Sequence, residues 1–399
     1  MPKFGFSIVC FSLNRKGSAC GSNQYDIQTY WQVHFSRDRG NFARKARRNG
    51  VTIMPVTHHW LKEPGPRLQG SRDLDSLKCQ APCIVRNPSG GFRLFYTAVG
   101  PGKPFPVCQG YILSAVSEDG LSFQTEPGIR LAPRPELPHM SLRILAPTVT
   151  RINNGRWRMY FESRGSADRP TVICSAVSHD LLSWELEDGI RLQGPTRTGG
   201  PRFSSLPDGR GRLYCFGQVP TPGDQPITKG VISAVTDDGL HFTFEPGYRI
   251  KESQTTYDSG GFSAAEAIPP QGGQDSWSMV YSAWQDVPPG TKVPPHPCHD
   301  VNAVTSGSSE NFAAASIATD MAGYRSRIFM AYSADGLVWN RGECAIEGDG
   351  YHGNDLDAVH AEDMSVIHLG AGKYRMYYAA CDQGGNWRIA SAISNGPAT

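Results

Sequence analysis

Two acidic residues, Glu266 and Asp363, occupy the same place in two copies of a repeated sequence. Each lies eleven residues before the first aromatic residue of a strand-like segment, at Trp277 and Tyr374 respectively. Two carboxyl groups that enter one narrow channel repel each other and shift each other's pKa. Such a pair suits acid/base chemistry, in which one group donates a proton and the other accepts one. We predict that Glu266, Asp363 and the neighbouring Glu362 are catalytic.

Further polar residues precede or begin the same strands, and we expect them to line the channel. A hydrogen bond that only stabilises the fold is the alternative role for each isolated histidine or arginine. The residues predicted to bind substrate are Gln80, Arg143, Arg202, Asp258, His352, Asp357 and His360. Neither the pair Cys79 and Cys83 nor the run from His296 to Asp300 has a second ligand cluster nearby, so we expect no metal and no cofactor.

A repeated phrase indicates the elements that position these residues. It reads SAVSEDGLSFQTEPGIRL at 114–131 and returns at 175–192 and 233–250, with a looser copy at 332–346. The chain ends at 391–399 with the first half of a copy, SAISNGPAT, whereas the second half, WLKEPGPRL, stands at 60–68. A linear array has no reason to be split in this way. The pattern predicts a closed ring in which an N-terminal strand completes the last unit.

The strand content of each unit predicts a β-propeller. Apolar and aromatic segments of strand length recur five times, at 92–98, 157–163, 211–217, 277–283 and 374–380. Turns rich in Asn, Pro and Gly follow the preceding strand, and no segment has the period of a helix. We therefore predict an all-β, five-bladed β-propeller over residues 56–399, preceded by an extension at 1–55. The predicted blades cover about 76–131, 141–192, 196–250, 258–346, and 357–399 together with 56–69.

Composition narrows the range of partners. The net charge is +2, which gives no electrostatic reason to expect nucleic acid. The apolar run at 4–13 is too short to span a membrane and lacks a clean cleavage site for a signal peptide. The ten cysteines are scattered, as expected of free thiols in a reducing compartment. We expect a cytoplasmic monomer, rather than a secreted protein, that acts on a small molecule or carbohydrate, without nucleic-acid or membrane partners.

Blade four contains an insertion between its second and third strands. The segment 286–316 is rich in Pro, Gly and Ser, and it makes this connection much longer than those of the other blades. Long loops in compact domains are often lids or binding loops. We predict a lid over the channel.

The repeats and the Ala-Pro phrases that lead the channel strands resemble the five-bladed propeller glycosidases, namely glycoside hydrolase family 43 and its relatives 32, 68, 117 and 130. The resemblance covers about residues 56–399. In family 43 it implies an axial funnel with three carboxylates, a general base, a residue that tunes the pKa and a general acid. The matching positions here hold Ala81, Thr148 and Gly199. The usual triad is therefore not preserved.

Two classes of function remain open from the sequence. The first is a glycosidase-like enzyme that uses the relocated carboxylates of blades four and five on a sugar or small polar substrate. The second is a descendant that does not hydrolyse glycosides, either a cyclase, isomerase or lyase of small-molecule biosynthesis or a glycan-binding protein. The fold alone does not decide between them.

Overall fold

All elements in the described part of the chain are β-strands, in a computed structural model of the protein. The structure describes residues 46–48, 51–53, 58–76, 78–99, 110–152, 154–166, 168–195, 197–219, 229–253, 257–258, 261–270, 276–285, 325–350 and 353–394. The chain divides into two compact units, Met1–Arg44 and Lys45–Thr399, and every strand belongs to the second. The first two strands, β1 (Ala46–Arg48) and β2 (Val51–Ile53), form a separate antiparallel hairpin.

Five blades of antiparallel strands follow, each running from an innermost to an outermost strand. Blade one holds β5 (Lys78–Arg86), β6 (Phe92–Val99), β7 (Tyr111–Ser117) and β8 (Gln124–Thr125). Blade two holds β9 (Arg143–Arg151), β10 (Trp157–Arg164), β11 (Val172–Ser178) and β12 (Glu185–Leu186). Blade three holds β13 (Thr198–Ser205), β14 (Gly211–Gly217), β15 (Gly230–Thr236), β16 (Thr243–Phe244) and β17 (Ile250–Lys251).

The last two blades share one sheet, because a single parallel bridge joins Ser326 to His360. Blade four holds β18 (Gly261–Ile268), β19 (Trp277–Gln285), β20 (Arg325–Ser333) and β21 (Trp339–Ile346). Blade five holds β22 (His360–Gly370), β23 (Lys373–Cys381) and β24 (Trp387–Ser394), followed by β3 (Trp60–Lys62) and β4 (Leu68–Gln69) from the N-terminal side.

The predicted closure by an N-terminal strand is confirmed. The amide of Glu63 donates to the carbonyl of Ser391 at 2.9 Å, as the amide of Glu126 donates to Ser114 in blade one. The amide of Arg67 likewise donates to Ile389 at 2.7 Å. The distant segment therefore makes the hydrogen bonds that a continuous chain makes in the other blades.

An arginine–glutamate clamp ties one blade to the next. In blade one, the guanidinium of Arg93 donates to both carboxylate oxygens of Glu126, at 2.9 and 2.8 Å, and to the carbonyl of Asp180 in blade two. The equivalent pairs are Arg158–Glu187, Arg212–Glu245 and Arg375–Glu63. Blade four has Ser278 at the arginine position, so its interface with blade five lacks this clamp.

Hydrophobic side chains fill the space between neighbouring blades. Five buried clusters each join two adjacent blades, and one of them joins blade five back to blade one through Tyr377, Ile389, Leu94 and Leu113. Second strands are buried along nearly their whole length, which explains why they are apolar rather than alternating. Face-to-face packing of blades is thus what holds each innermost strand in position.

Candidate functional site

An irregularity recurs at the same place in the innermost strand of four blades. The ladder between the first and second strands skips two residues, and the first of the two has a left-handed backbone. These residues are Ala81 (φ 48°), Ala146 (φ 49°), Gly200 (φ 57°) and Asp363 (φ 52°). A positive φ is rare for residues other than glycine, and such conformations cluster at functional sites. We call the part of the ring that holds these four residues the bulge level, and it is the candidate functional site.

From the eleven-residue spacing, our sequence analysis made Asp363 and Glu266 both equivalent to Ala81. The strand register confirms this equivalence for Asp363 but not for Glu266. Glu266 pairs with Val280, as Thr148 pairs with Tyr160. Blade four has a longer turn before its second strand, so counting back from Trp277 misplaces Glu266 by two positions. Asp363 and Glu266 therefore lie at different levels of the ring.

Arg202 lies on the axis and contacts all five blades. Its Nε donates to the carbonyl of Met364 at 2.9 Å and lies 3.5 Å from Oε2 of Glu266. Its Nη1 donates to the carbonyl of Pro147 at 3.0 Å, and its Nη2 to that of Pro82 at 3.2 Å. The residue is 2% exposed. Main-chain carbonyls occupy its donors, so Arg202 holds the centre of the ring together, and its predicted contact with substrate stays a prediction.

Glu266 belongs to the same central level. Its equivalents in three other blades each accept an amide proton from the next blade around the ring. These bonds join Val149 N to Cys83 Sγ, Phe203 N to Thr148 Oγ1 and Ile84 N to Ser365 Oγ, at 3.2 to 3.3 Å. Glu266 continues the series, since its Oε1 accepts from the amide of Val366 at 2.9 Å. Burial raises the pKa of Glu266 to about 7, against the opposing charge of Arg202. Its Oε1 thus makes a structural bond, whereas its buried Oε2 has no hydrogen-bond partner among the described residues, so the catalytic role predicted for Glu266 stays a prediction.

Asp363 has a different set of neighbours. Its amide donates to the hydroxyl of Ser282 at 3.2 Å, and Ser282 in turn contacts Ser263, Oγ to Oγ at 2.5 Å. Burial raises the pKa of Asp363 to about 6, the charge of Arg202 opposes this shift, and the negative charge of Glu162 adds to it. One contributor to this shift, Glu162, is a carboxylate that our sequence analysis did not predict.

That carboxylate, Glu162, comes from the second strand of blade two and is 2% exposed. Its Oε2 accepts the amide of Gly200 at 2.9 Å, and its Oε1 forms an ion pair with Arg164. A Cβ atom built on Gly199 would collide with Oε2 of Glu162. The carboxylate thus fills the place that the missing side chain of residue 199 would occupy.

A sequence signal for Glu162 did exist. The other second strands have Thr97, Phe216, Ser282 and Ala379 at the corresponding position, whereas blade two alone has an acidic residue within its apolar run. Thr97 and Ser282 also accept an amide proton from the bulge residue of the next blade, Thr97 from Ala146 at 2.8 Å. A hydroxyl group is enough to accept the amide proton of the bulge residue. The carboxylate of Glu162 therefore adds a charge that this hydrogen bond does not require.

Basic residues surround the entrance face, which we define as the end of the ring where the innermost strands begin. Three residues before the bulge stand Lys78, Arg143, Arg197 and His360, one in each of four blades. The ammonium of Lys78 lies 4.9 Å from the centre of the Trp387 ring, and the ring of His360 stacks on Trp387 with ring centres 5.3 Å apart. Arg143 is buried and Arg197 is exposed.

The remaining predicted residues are dispersed. Asp258 forms an ion pair with Arg341, and Asp357 binds Lys62 at 2.7 Å and the Tyr378 hydroxyl at 2.9 Å, so both have structural partners away from Asp363. Gln80 and Glu362 are half-buried and stand one residue before their respective bulges, next to Ala81 and Asp363. His352 and the whole insertion at 286–316 lie outside the described residues, so the predicted lid stays a prediction.

Two kinds of feature are absent from the described ranges. These ranges contain no group of three or more His, Cys, Asp or Glu residues arranged to hold a metal ion. They also contain no helix with the length and apolar character needed to cross a membrane. Six described cysteines are free thiols, five of them buried.

Solved structures share this fold. A glycoside hydrolase superposes with a TM-score of 0.58 at 15% identity, covering 85% of this chain and 94% of that one. The β-1,2-mannobiose phosphorylase from Listeria innocua gives a TM-score of 0.58 at 13% identity over 84% and 96% of the two chains. A family-43 glycoside hydrolase gives 0.51 at 13% identity, over 82% and 96%. The architecture is thus that of the five-bladed propeller glycosidases, which confirms the resemblance at the level of the fold.

No protein-family model matches the chain, and no curated protein matches it in sequence. The identities of 12–15% to the solved structures carry the fold and no particular activity. The case for function therefore rests on the residues at the bulge level.

Proposed function

We propose that this protein is a glycosidase-like enzyme whose proton donor is Asp363, charge-paired with Glu162. The carrying observation is Asp363, a buried carboxyl group at the bulge level whose pKa is raised to about 6, chiefly by burial and further by the negative charge of Glu162. A carboxyl group with such a pKa keeps a useful protonated fraction near neutral pH, as a general acid requires.

The chemistry divides among three carboxyl groups. Asp363 protonates the oxygen of the leaving group as the glycosidic bond breaks. Glu162 is held by Arg164 and by the Gly200 amide, and its carboxylate stabilises the positive charge that develops on the sugar ring. The half-buried Glu362, next to Asp363, accepts the proton of the attacking water.

A test with two leaving groups separates these roles. Dinitrophenol needs no protonation to leave, whereas a sugar or methanol does. The variant Asp363→Asn should therefore lose about 100- to 10,000-fold in kcat/KM on unactivated glycosides and much less on dinitrophenyl glycosides. Glu162→Gln should reduce both rates, because it removes charge stabilisation rather than the proton.

Two control variants complete this test. Thr148→Ala removes only the acceptor for Phe203 N and should leave both rates unchanged. Glu266→Gln should also leave turnover intact, since Glu266 is paired with Arg202 and Val366. A large rate loss in Glu266→Gln, with folding preserved, would restore the pair Glu266 and Asp363 as the catalytic groups.

The alternative is a descendant that does not hydrolyse glycosides, namely a cyclase, isomerase, lyase or glycan-binding protein. The observation in its favour is Ala81, which stands at the bulge position where the resemblance places a general base. Wild-type protein that binds glycans but turns over neither class of glycoside would support this alternative.

A further inference from the structure

A cleft of about 380 Å³ opens where the outer strands of blade three adjoin those of blade four. It lies between the segment 245–249, which joins β16 to β17, and the turn that precedes β21. Its lining is mainly apolar and includes Tyr248, Leu337, Val338 and Trp339. Apolar clefts of this volume that also contain a few polar groups are typical of binding sites.

The two sides of this cleft are more apolar than the equivalent places in the other blades. Tyr248 belongs to the repeated segment after the fourth strand of a blade, and Val338 to the repeated turn before that strand. The equivalent pairs are Ile129 with Ser183 for blades one and two, Ile190 with His241 for blades two and three, and Pro66 with Ser122 for blades five and one. Val338 is 70% exposed, the largest fraction of any large hydrophobic side chain among the described residues. An exposed apolar pair beside a cleft is the kind of surface that a partner covers.

An arginine of the same repeated segment forms a bond across the interface in two other blades. Each of these arginines donates from Nη1 to a main-chain carbonyl in the turn of the next blade, Arg130 to Leu182 at 3.2 Å and Arg191 to Leu240 at 3.3 Å. A carbonyl oxygen is therefore the usual acceptor for this guanidinium group.

Arg249, the equivalent arginine at the cleft, lacks this bond. Its Nη2 donates to the carbonyls of Pro246 and Gly247, but in the described part of the chain its Nη1 has no acceptor, although Leu337 is the equivalent carbonyl residue. Arg249 lines the cleft and is 7% exposed, so the cleft contains a buried cation with an unused donor. Among the described residues Arg67 of the closing strand lacks the bond as well, but it is more exposed to solvent.

The charges near Arg249 are balanced. Burial lowers the pKa of Arg249, the negative charges of Glu245 and Asp335 oppose this shift, and the positive charge of Arg212 adds to it. Glu245 is itself held by Nη2 of Arg212 at 2.8 Å and by the hydroxyl of Ser233 at 2.6 Å. Two cations therefore accompany two anions, and an added anion gains no net attraction. The unused donor suits a neutral acceptor such as a carbonyl oxygen.

We propose that the cleft binds a peptide segment of another protein, with an apolar side chain against Tyr248 and Val338 and a main-chain carbonyl on Nη1 of Arg249. A peptide supplies both groups together, since each carbonyl stands next to a side chain. This proposal is independent of the catalytic one, because the cleft lies at the outermost strands, whereas Asp363 belongs to an innermost strand.

Titration with two capped tripeptides, followed by NMR of the Trp339 indole N–H in the full chain, tests the site. Acetyl-Gly-Leu-Gly-amide and acetyl-Gly-Ser-Gly-amide differ only in the central side chain. The leucine peptide should bind about tenfold more tightly, the gain expected from partial burial of one apolar side chain. Val338→Ser, which introduces the residue type found at this position in blades one and two, should remove most of that preference. Arg249→Gln should weaken both peptides about tenfold, because both use the charged donor.

The matched control is Arg130→Gln, which makes the same change at the equivalent arginine, whose Nη1 is already bound to the carbonyl of Leu182. It should bind both peptides as wild type does. Should Arg249→Gln fail to fold, Val338→Ser decides the matter, because Val338 is exposed and its replacement leaves the core unchanged. The proposal is overturned if the leucine peptide leaves the Trp339 resonance unshifted up to its solubility limit, or if the two peptides bind equally. N-acetylglucosamine bound as tightly as the leucine peptide would also overturn it, because the cleft would then be a glycan site.

Discussion

The carboxylate of Glu162 lies where the side chain of Gly199 would begin, although the two residues belong to different blades. Oε2 of Glu162 is held there by the amide of Gly200 at 2.9 Å. Glu162 of blade two therefore places its carboxyl group against the innermost strand of blade three. The glycine is part of the site, because any larger residue would compete with the carboxylate for the same volume.

The variant Gly199→Ala should disturb the site more than the addition of one methyl group usually does. Its Cβ would collide with Glu162 and with the ring of Phe216. We expect a loss of about 1–3 kcal/mol in stability from overpacking. We also expect a fall in kcat/KM of at least about tenfold, because the displaced carboxylate no longer neighbours Asp363. Urea denaturation and steady-state kinetics measure the two effects, and unchanged kinetics would show that the position of Glu162 does not matter for turnover.

Asp363 should make stability depend on pH in a defined direction. Its pKa is about 6 in the folded protein against an ordinary value of 3.8, so the folded state binds this proton more tightly than the unfolded state. The contribution is fully present below about pH 4 and is lost as the pH rises through about 6. Asp363→Asn abolishes this dependence.

The difference in unfolding free energy between Asp363→Asn and wild type should therefore grow, in favour of the variant, between pH 4 and pH 7. Its upper bound is on the order of 3 kcal/mol. Urea denaturation at several pH values measures the difference. Asp237→Asn, which makes the same change at an exposed side chain, is the matched control. Parallel curves for wild type and Asp363→Asn would contradict the assignment of a raised pKa.

Arg202 should be among the most costly residues to replace. Arg202→Met leaves carbonyl groups of Pro82, Pro147 and Met364 without their donor and Glu266 without its charge partner. We expect a loss of at least about 3 kcal/mol, as for other buried ion pairs broken on one side.

The double variant Arg202→Met with Glu266→Gln should recover part of this loss, because it also replaces the buried carboxyl group that has lost Arg202 as its neighbour. The coupling energy between the two sites should lie at about 0.5–3 kcal/mol. Should Arg202→Met fail to fold, Arg202→Lys gives the milder measurement, since it keeps the charge but lacks the planar fork. An Arg202→Met protein as stable as wild type would refute the central position of this residue.

The closing strand should behave energetically like a covalently continuous blade. Glu63 clamps Arg375 at 2.9 and 3.0 Å, as Glu126 clamps Arg93 in blade one. Glu63→Ala and Glu126→Ala should therefore cost similar amounts, about 1–3 kcal/mol each, since both leave a buried guanidinium unpaired. Thermal or urea denaturation compares them directly.

Truncation tests the same closure more severely. Deletion of residues 1–70 removes β3 and β4 and leaves β24 with an unpaired edge, so we expect aggregation or a large fall in Tm. Deletion of residues 1–45 leaves both strands in place and should be mild. A soluble 71–399 fragment with the stability of the full chain would exclude a structural role for the closing strand.

The ring could be predicted from the sequence because each repeated segment corresponds to one blade with the same strand order. The split phrase at 60–68 and 391–399 identified the closing strand, and the spacing before Tyr374 placed Asp363 at its bulge. Both inferences compare equivalent residues of equivalent units. The same comparison failed for Glu266, since turn length varies between blades and shifts a count of residues.

The candidate site was less predictable because it depends on contacts between strands distant in sequence. Glu162 reaches the bulge level from a second strand, through a gap that Gly199 leaves in another blade. Arg202 resembles a binding residue in sequence, yet its partners are carbonyl groups, and a sequence carries no sign of which carbonyls converge on an axis. The place of Arg197 beside blade two could not be predicted either, since its bridge to Thr171 is a tertiary contact.

The position of Arg202 at the centre of the ring also prevents molecules from passing along the ring axis. With donors directed at blades one, two, three and five and a carboxylate of blade four alongside, the arginine seals the ring at its centre. If Asp363 acts on glycosides as proposed, a glycan chain cannot pass through the ring at this level, so substrate and products reach Asp363 from one side of Arg202. Removal of terminal units is the reaction that such one-sided access favours.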